Sequence, residues 1–367
     1  MLIRNVIQHL LNVLREKGFK TLVHFELEGV FELRANFKNL DYAGVNQQLI
    51  KLDIDGELKS EYWKNQWEFV SLFNGQSPLK EAQNLARAMQ LLPAIMCQHG
   101  ASKVMMEPVS WGADKGRYVH GSGAIFSLDT RSVHIPNAIQ MNVSVKNKHD
   151  ENLFAQEGLG EWIQYELLVN SYACCLLFLP EEDAFRRLAL RNDYGLDAEL
   201  SSPVILSGGH QGSIALYKEI GKHNQAMGLE PLFFASDNSV LNYVGDWRKT
   251  ARVEHRIGAT SKNYDPYLNM VFILINVLEG IGKWQNQNLP PIFEDKALPG
   301  SLYDQINKQD GQEKLGALSL FKNDNWLVNK IDFYCQDIPN INAIDLGAKI
   351  KEMMLSKYQR SVITLKS

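Results

Sequence analysis

The sequence predicts an α+β fold, because strand-like and helix-like segments share one chain. Segments that alternate between apolar and polar residues, as half-buried strands do, are residues 21–33, 65–72, 139–146 and 252–257. Segments with apolar residues at helical spacing, or apolar almost throughout, are residues 2–17, 78–99, 160–179, 265–282 and 344–358. The sequence shows no internal repeat and no low-complexity tract. We therefore expect a folded protein that is built from both kinds of element.

Composition and charge exclude several classes of protein. Hydrophobic residues make up 45% of the chain and charged residues 22%, which is typical of folded soluble proteins. The net charge of −4 gives no electrostatic footprint for nucleic acid or an anionic membrane, and no apolar run is long enough to span a bilayer. The amphipathic N-terminal segment does not read as a signal peptide, and the four cysteines lack metal-ligand spacing. We predict a cytoplasmic protein without nucleic-acid or membrane partners.

The segment RVEHRIGATSKNYDPYLNMVFILINVLEGIG carries the most informative charges. Alternation along its first residues places Arg252, Glu254 and Arg256 on one face of a short strand. Asp265 can then cap a helix that has Pro266 at its first position and is apolar to its end. A carboxylate between two guanidinium groups beside a buried helix usually meets a metal ion or a phosphate. A structural ion pair under the helix is the alternative.

This segment resembles the closing motif of the glutamine synthetase catalytic domain. That motif reads Arg-x-Glu-x-Arg, a loop of small residues, Asn-Pro-Tyr-Leu, and a long helix that ends in Gly-Ile; here the corresponding runs are RVEHR, GATSKN, DPYL and LEGI. The resemblance implies that Glu254 binds a divalent metal ion and that Arg256 faces the transferring phosphate. It also implies a curved antiparallel sheet with flanking helices, as one domain: an N-terminal helix (1–19), a core (20–290) and a helical extension (291–367).

Two further strands resemble the family's metal-binding strands. In TLVHFELEGVFEL, Glu26 and Glu28 share a face, and carboxylates so placed repel unless a cation lies among them. They match the family's Glu-x-Glu strand, both of whose residues bind metal, although an exposed acidic face is the alternative. In NQWEFVSL, Glu68 matches the glutamate of the family's Gln-x-Glu strand.

One more family ligand lies a short way upstream of the Gln-x-Glu strand. The matching point falls near Ser60, which Glu57 and Glu61 flank, and we predict Glu61 as the ligand after a small loop shift.

The chain departs from the family pattern at several positions. Asn142, in IQMNVSVK, stands where the family has a metal-binding histidine, and its amide oxygen is a weaker ligand for a hard cation. Glu107 stands where the family has a lysine. The glycine-rich run of residues 208–212 replaces a run with two arginines that contacts ATP and substrate, and backbone amides there could still cradle phosphate. We assign Gly209 and Ser213 to the nucleotide.

A basic pair precedes this run. Arg186 or Arg187, in FRRLALRNDYG, corresponds to the family's arginine before the nucleotide loop, and we assign the phosphate-facing role to Arg187. A solvated basic helix face is the alternative.

The resemblance implies an ATP-dependent ligase that uses two Mg²⁺ or Mn²⁺ ions. It would activate a small-molecule carboxylate as an acyl phosphate, which an amine then attacks, and such chemistry belongs to nitrogen metabolism. The main alternative is a degenerate domain that binds nucleotide or a partner protein without catalysis. A purely structural α+β protein is a further alternative, and it requires every motif to be a coincidence. The family's N-terminal β-grasp domain has no counterpart in the sequence. We therefore expect either that a second chain, or a second copy in a homo-oligomer, completes the site, or that the pocket stays open to a larger amine or a macromolecule.

Overall fold

The structure is a computed structural model, and it describes most of the chain. The described residues are 2–61, 63–71, 76–112, 133–189, 198–204, 206, 213–221, 224, 226–227, 231–234, 240–243, 246–286, 289–306, 311–339, 341 and 343–363. All structural statements below concern these residues. None of their helices is long and apolar enough to cross a membrane.

Helices and strands are mixed along the described part of the chain, as an α+β fold requires. The helices are α1 (Leu2–Glu16), α2 (Tyr42–Lys51), α3 (Pro78–Gln98), α4 (Leu159–Ser171), α5 (Glu182–Ala189), α6 (Pro266–Trp284), α7 (Ala317–Asn323), α8 (Trp326–Tyr334) and α9 (Leu346–Ile363). The strands are β1 (Lys20–Leu33), β2 (Glu57–Ser60), β3 (Gln66–Val70), β4 (Ala101–Met105), β5 (Val109–Gly112), β6 (Val133–Pro136), β7 (Ile139–Lys146), β8 (Ile214–Tyr217), β9 (Pro231–Phe234), β10 (Val240–Tyr243), β11 (Arg252–His255), β12 (Gln305–Ile306) and β13 (Glu313–Lys314).

A seven-stranded antiparallel sheet organises the molecule. Its strand order is β2–β3–β1–β7–β11–β8, and β4 pairs with the last part of β1. The 14-residue strand β1 is the longest and pairs with β3 on one side and with β7 on the other. The strands that the sequence predicts to carry carboxylates, β1, β3 and β11, therefore lie within one sheet.

The apolar face of this sheet packs on a helical core. Phe25, Phe69, Met141 and Val253 are buried on that face, within a hydrophobic cluster that draws members from α1 through α9. Helix α6 is buried almost along its whole length and packs against α1, α3, α4 and α8. Burying this much apolar surface supplies the driving force that can offset the cost of keeping charges on the opposite face.

The cap of α6 is formed as the sequence predicts. Asp265 accepts hydrogen bonds from the backbone N–H groups of Tyr267 (3.0 Å) and Leu268 (3.2 Å), and Pro266 occupies the first turn. Lys357 of α9 donates to the second carboxylate oxygen of Asp265 at 2.7 Å. The cap therefore also ties the last helix to the helix behind the sheet.

Most predicted elements are confirmed, and the differences are local. The helix predicted for residues 160–179 ends at Ser171 and is followed by a 3₁₀ turn at Cys175–Leu177. Helix α2 and strand β2 were not predicted, because neither segment has a clear apolar period. The predicted helical extension contains α7–α9 and also the short β12–β13 pair.

Glu81, in the first turn of α3, gives the fold a pH-dependent stability. Burial raises the pKa of Glu81 to about 8, and the Asp55 carboxylate adds to the rise. A carboxyl group with a higher pKa in the folded state contributes stability that is complete below its unfolded pKa, 4.5, and is lost as the pH rises through 8. We expect Glu81→Gln, which cannot ionise, to abolish this loss. Relative to the variant, the wild type should lose roughly 3–6 kcal/mol of unfolding free energy between pH 4 and pH 9.

Urea unfolding of both proteins at several pH values measures this difference. Glu352→Gln is the control, because Glu352 is exposed on α9 and its replacement should leave the pH profile of the wild type unchanged. Parallel stability profiles for the wild type and Glu81→Gln would contradict the assignment.

Candidate functional site

One face of the sheet carries polar side chains across five neighbouring strands. The residues of this polar face, as we call it, are Lys59, Gln66, Glu68, His24, Glu26, Glu28, Gln140, Asn142, Arg252 and Glu254, in strand order from β2 to β11. Because side chains alternate along a strand, the register of these pairings places all ten on the same side. All but Lys59 and Arg252 are buried. Glu26, Glu28, Glu68, Asn142 and Glu254, which the sequence predicts as metal ligands, share this face.

A chain of hydrogen bonds joins β1, β7 and β11 across the polar face. The Asn142 amide donates from Nδ2 to Glu26 Oε1 at 3.0 Å, and its Oδ1 accepts from Arg252 Nε at 2.7 Å. The Arg252 guanidinium also lies over the Tyr217 ring, 4.9 Å from its centroid. The amide oxygen that could ligate a cation at Asn142 is thus engaged by Arg252.

Glu28 is held by β7. Its Oε2 accepts from the Ala138 backbone N–H at 2.8 Å, and its Oε1 accepts from the Gln140 amide at 3.2 Å. Glu28 lies directly opposite Glu68 on β3, and like charges in such a pair repel each other. The two donors draw Glu28 toward β7, on the side of β1 away from Glu68.

Glu254 and Arg256 form a buried charge pair, the arrangement that the sequence analysis gave as the alternative to a metal or phosphate site. Arg256 Nε lies 3.6 Å from Glu254 Oε1, and both side chains are almost fully buried, at 6% and 0% exposure. Burial acts to lower the pKa of Arg256, but the Glu254 carboxylate, together with Tyr217, Glu26 and Glu28, outweighs burial, so that the pKa is raised. The guanidinium is therefore charged at all ordinary pH values.

The β2–β3 hairpin carries a cation that the sequence analysis did not consider. Lys59 lies directly opposite Glu68, and its Nζ is 2.9 Å from Glu68 Oε2. The Glu68 carboxylate raises the pKa of Lys59, and Glu26 and Glu61 add to the rise. Ser60 pairs with Trp67 and therefore lies on the opposite face of the sheet. No signal in the sequence predicted this contact, because it depends on the register of the β2–β3 hairpin.

Glu61 lies just beyond the end of β2. Its backbone N–H donates to the Gln66 carbonyl at 3.0 Å, so the pairing continues one residue past the strand. Alternation then places Glu61 on the side of Lys59 and Glu68. Its assignment as the upstream ligand stays a prediction.

His24 is a second residue that the sequence analysis missed. It lies directly opposite Asn142, the position where the family has its histidine, and it is 7% exposed. Burial and the Arg252 charge lower the pKa of His24 to about 3, although Glu26 and Glu254 oppose the shift. The imidazole is therefore neutral at pH 7. Its position two residues before Glu26 on the same strand was the available signal.

The structure gives the two predicted basic residues of α5 different surroundings. Arg187 is 2% exposed and donates from Nη1 to the Ile257 carbonyl (3.0 Å) and from Nη2 to the Arg256 carbonyl (3.3 Å). Burial lowers the pKa of Arg187 to about 10, against the opposing effect of Glu28. Arg186 is exposed and pairs with Asp183 at 2.9 Å. Arg187 thus supports the backbone after β11, and its phosphate-facing role stays a prediction.

The predicted nucleotide loop is described only in part. Gly209 lies outside the described residues. Ser213, immediately before β8, is fully buried, and its carbonyl accepts from the Arg256 backbone N–H at 3.2 Å. Ser213 is therefore next to Arg256, as a shared phosphate site would require, and its binding role stays a prediction.

The candidate metal-binding side chains form two groups, which differ in how well they would hold a divalent ion. Around β1, β7 and β11, Glu26 and Glu254 supply carboxylate donors that suit Mg²⁺ or Mn²⁺, and neutral His24 adds an imidazole nitrogen. Around β2 and β3, Glu68 is already paired with the Lys59 ammonium, and this group does not fit a second ion. Within the described residues, no three His, Cys, Asp or Glu side chains are gathered as they would be around a metal ion. Binding in the first group therefore requires side-chain rotation.

The antiparallel sheet, the buried helix α6 and the carboxylate-bearing face define a glutamine synthetase-like fold. The chain is similar to a structure described as a novel glutamine synthase homolog, with a TM-score of 0.58 and 16% identity over 96% of this chain and 71% of that chain. It is also similar to GmaS without ligand (TM-score 0.57, 14% identity, 98% of this chain and 74% of that one). GmaS in complex with ADP gives a TM-score of 0.53, at 14% identity over the same shares.

A third protein extends this comparison. Glutamine synthetase of Plasmodium falciparum gives a TM-score of 0.55 and 14% identity over 98% of this chain and 77% of that chain. No protein-family model and no curated protein matches the sequence. At these identities the similarity shows the fold, and it confirms the α+β class and the glutamine synthetase resemblance that the motifs predicted.

Proposed function

We propose that this chain is an ATP-dependent ligase of the glutamine synthetase type, which joins a small-molecule carboxylate to an amine with the help of Mg²⁺ or Mn²⁺. The observation that carries the proposal is the pair of buried carboxylates Glu26 and Glu254, which lie on one sheet face beside the Arg256 guanidinium. Such a pair is costly unless it serves a cation-dependent function. The similarity to GmaS, one of whose structures is an ADP complex, supports a nucleotide as cofactor.

Three side chains at the β1–β7–β11 junction would hold the divalent ion. Glu26 and Glu254 supply negative oxygen donors, and His24 supplies a neutral nitrogen donor. When bound, the ion would supply positive charge beside the nucleotide phosphates. Because Asn142 already donates to Glu26, its amide would orient that carboxylate even if its own oxygen stays with Arg252.

Arg256 would stabilise the transferring phosphoryl group. In the proposed reaction, a substrate carboxylate oxygen forms a bond to the γ-phosphorus while the bond to the ADP oxygen breaks. The amine then attacks the acyl carbon, inorganic phosphate leaves, and the amine nitrogen gives up a proton. A guanidinium that is 5% exposed acts in a low-dielectric site, where its charge is worth more than in water. Completion of the site by a second copy or another chain is part of the proposal.

Thermal unfolding with and without Mn²⁺ and ATP tests the site. A ligand that binds only the folded state raises its stability, by about 2.7 kcal/mol at 100 times the Kd. We expect Mn²⁺ with ATP to raise the unfolding midpoint of the wild type. Glu254→Gln should abolish the rise, because it removes the negative oxygen donor that the fully buried Glu254 would supply to the ion. Glu352→Gln, at an exposed position of α9, should respond like the wild type.

The same experiment also distinguishes an active ligase from a degenerate domain. An unaltered response in Glu254→Gln would contradict the site. A response that depends on Glu254, without ATP turnover in a screen of carboxylates and amines, would favour the degenerate domain that binds nucleotide without catalysis.

A further inference from the structure

Among the described residues, the Lys59–Glu68 pair is the shortest contact between a cation and a carboxylate on the polar face. Its N···O distance is 2.9 Å, and the carboxylate is buried while the lysine is half-exposed. Lys59 reaches the face from β2, the edge strand of the sheet, so its stem runs in from the solvent side. A lysine so placed can bring its ammonium to a buried carboxylate without burying its own length.

The strand pairing places the Glu28 carboxylate next to Glu68, and positive charge near Glu68 offsets their repulsion. Glu68 lies directly between Lys59 on β2 and Glu28 on β1, and two carboxylates on adjacent strands repel unless a cation or a donor relieves them. Glu28 is relieved by the Ala138 N–H and the Gln140 amide, both on its β7 side. Glu68 is relieved by Lys59. The carboxylates of this half of the site are thus matched by donors of the chain itself.

We propose that the Lys59 ammonium is a built-in cation that takes the place of a second divalent ion, so that this chain binds one divalent ion where the glutamine synthetase resemblance implies two. The proposal rests on the contact with Glu68 and on the cross-strand register. Only the binding of the first ion depends on the proposed function. Lysine holds its charge on a covalent tether, so the charge stays at this half of the site whatever the metal concentration.

Counting bound Mn²⁺ by electron paramagnetic resonance tests the proposal, because free and bound ions are distinguished without any assay of activity. The wild type should bind one Mn²⁺, and Lys59→Ala should bind two, since the vacated position leaves Glu68 and Glu61 to a mobile cation. Lys59→Arg, which keeps the charge, should stay at one. Lys64→Ala is the matched control, because Lys64 is an exposed lysine in the same hairpin. It should also stay at one.

A double variant localises the added ion. Lys59→Ala with Glu68→Gln should lose the Mn²⁺ gained by Lys59→Ala, and this variant also removes the uncompensated carboxylate that could destabilise the single variant. Circular dichroism of each variant confirms that folded protein is compared. A Lys59→Ala protein that binds the same number of ions as the wild type, or a wild type that already binds two, overturns the proposal.

The count separates this proposal from the proposed function. A wild type that binds no Mn²⁺ while Lys59→Ala binds one would uphold the built-in cation and contradict the metal site at Glu26 and Glu254. No binding by either protein would contradict both.

Discussion

Arg256→Met is expected to lower the free energy of unfolding by about 3–5 kcal/mol, the usual cost of leaving one member of a buried ion pair without the other. Glu254 has no exposed surface, and the guanidinium that lies 3.6 Å from its Oε1 supplies a charge that water cannot replace. Methionine keeps an unbranched side chain of similar length, so the loss reflects charge more than volume. Urea unfolding of the two proteins gives the difference.

The companion variant shows whether the charge causes the loss. Glu254→Gln combined with Arg256→Met removes both charges, and we expect it to recover most of the stability that Arg256→Met loses. The surface pair Arg248–Asp246, at 3.4 Å, is the control, and Arg248→Met should cost about 1 kcal/mol or less. If the double variant is no more stable than Arg256→Met, the buried pair does not account for the loss.

Local periodicity predicted the parts of the site that lie within single strands. Alternation along β11 separated Glu254 from His255, and the structure places them on opposite faces: His255 packs against Phe178, with ring centroids 4.7 Å apart, and Ser171 lies 3.2 Å from its Nε2. The same rule predicted the shared face of Glu26 and Glu28. The Asp265 cap was predictable because its donors lie only two and three residues away.

Contacts between strands could not be predicted in the same way. Lys59 meets Glu68 because the β2–β3 hairpin has one particular register, and a shift of one residue would have turned Ser60 toward the polar face. The approach of His24 to Asn142 depends on the pairing of β1 with β7, whose residues are more than a hundred positions apart. The family pattern showed that a histidine is missing at position 142, but it gave no sign of His24 on the neighbouring strand.

The two missed residues change the interpretation of the departures from the family pattern. Asn142 alone suggests a weakened metal site, yet it lies opposite an imidazole and orients a carboxylate. Near the upstream ligand position, for which the sequence predicts Glu61, Lys59 already pairs with Glu68. Both departures fit a metal site whose surrounding residues differ from the family pattern, rather than a metal site that has been lost. Counting the bound Mn²⁺ ions therefore tests the site more directly than comparing motifs does.

Gly258→Ala should both destabilise the protein and weaken its response to Mn²⁺ with ATP. A Cβ at this position would lie 2.3 Å from the Ile139 carbonyl oxygen, and a backbone atom cannot move aside as a flexible side chain can. The Gly258 carbonyl also accepts from the Ile139 N–H at 3.0 Å, so this close approach fixes the chain after β11 against the start of β7. Overpacking of this kind costs about 1–3 kcal/mol or more.

The effect should extend to ligand binding, because Gly258 follows Arg256 by two residues and Ile139 precedes Gln140. Separating these segments moves Arg256 away from Glu28 and the rest of the polar face, so the rise in unfolding midpoint with Mn²⁺ and ATP should shrink. Gly282→Ala is the matched control: its Cβ would meet nothing within 4 Å, and alanine in α6 should be neutral or stabilise by up to about 1 kcal/mol. Equal stability and equal response in the two alanine variants would show that the contact between Gly258 and Ile139 does not position the site.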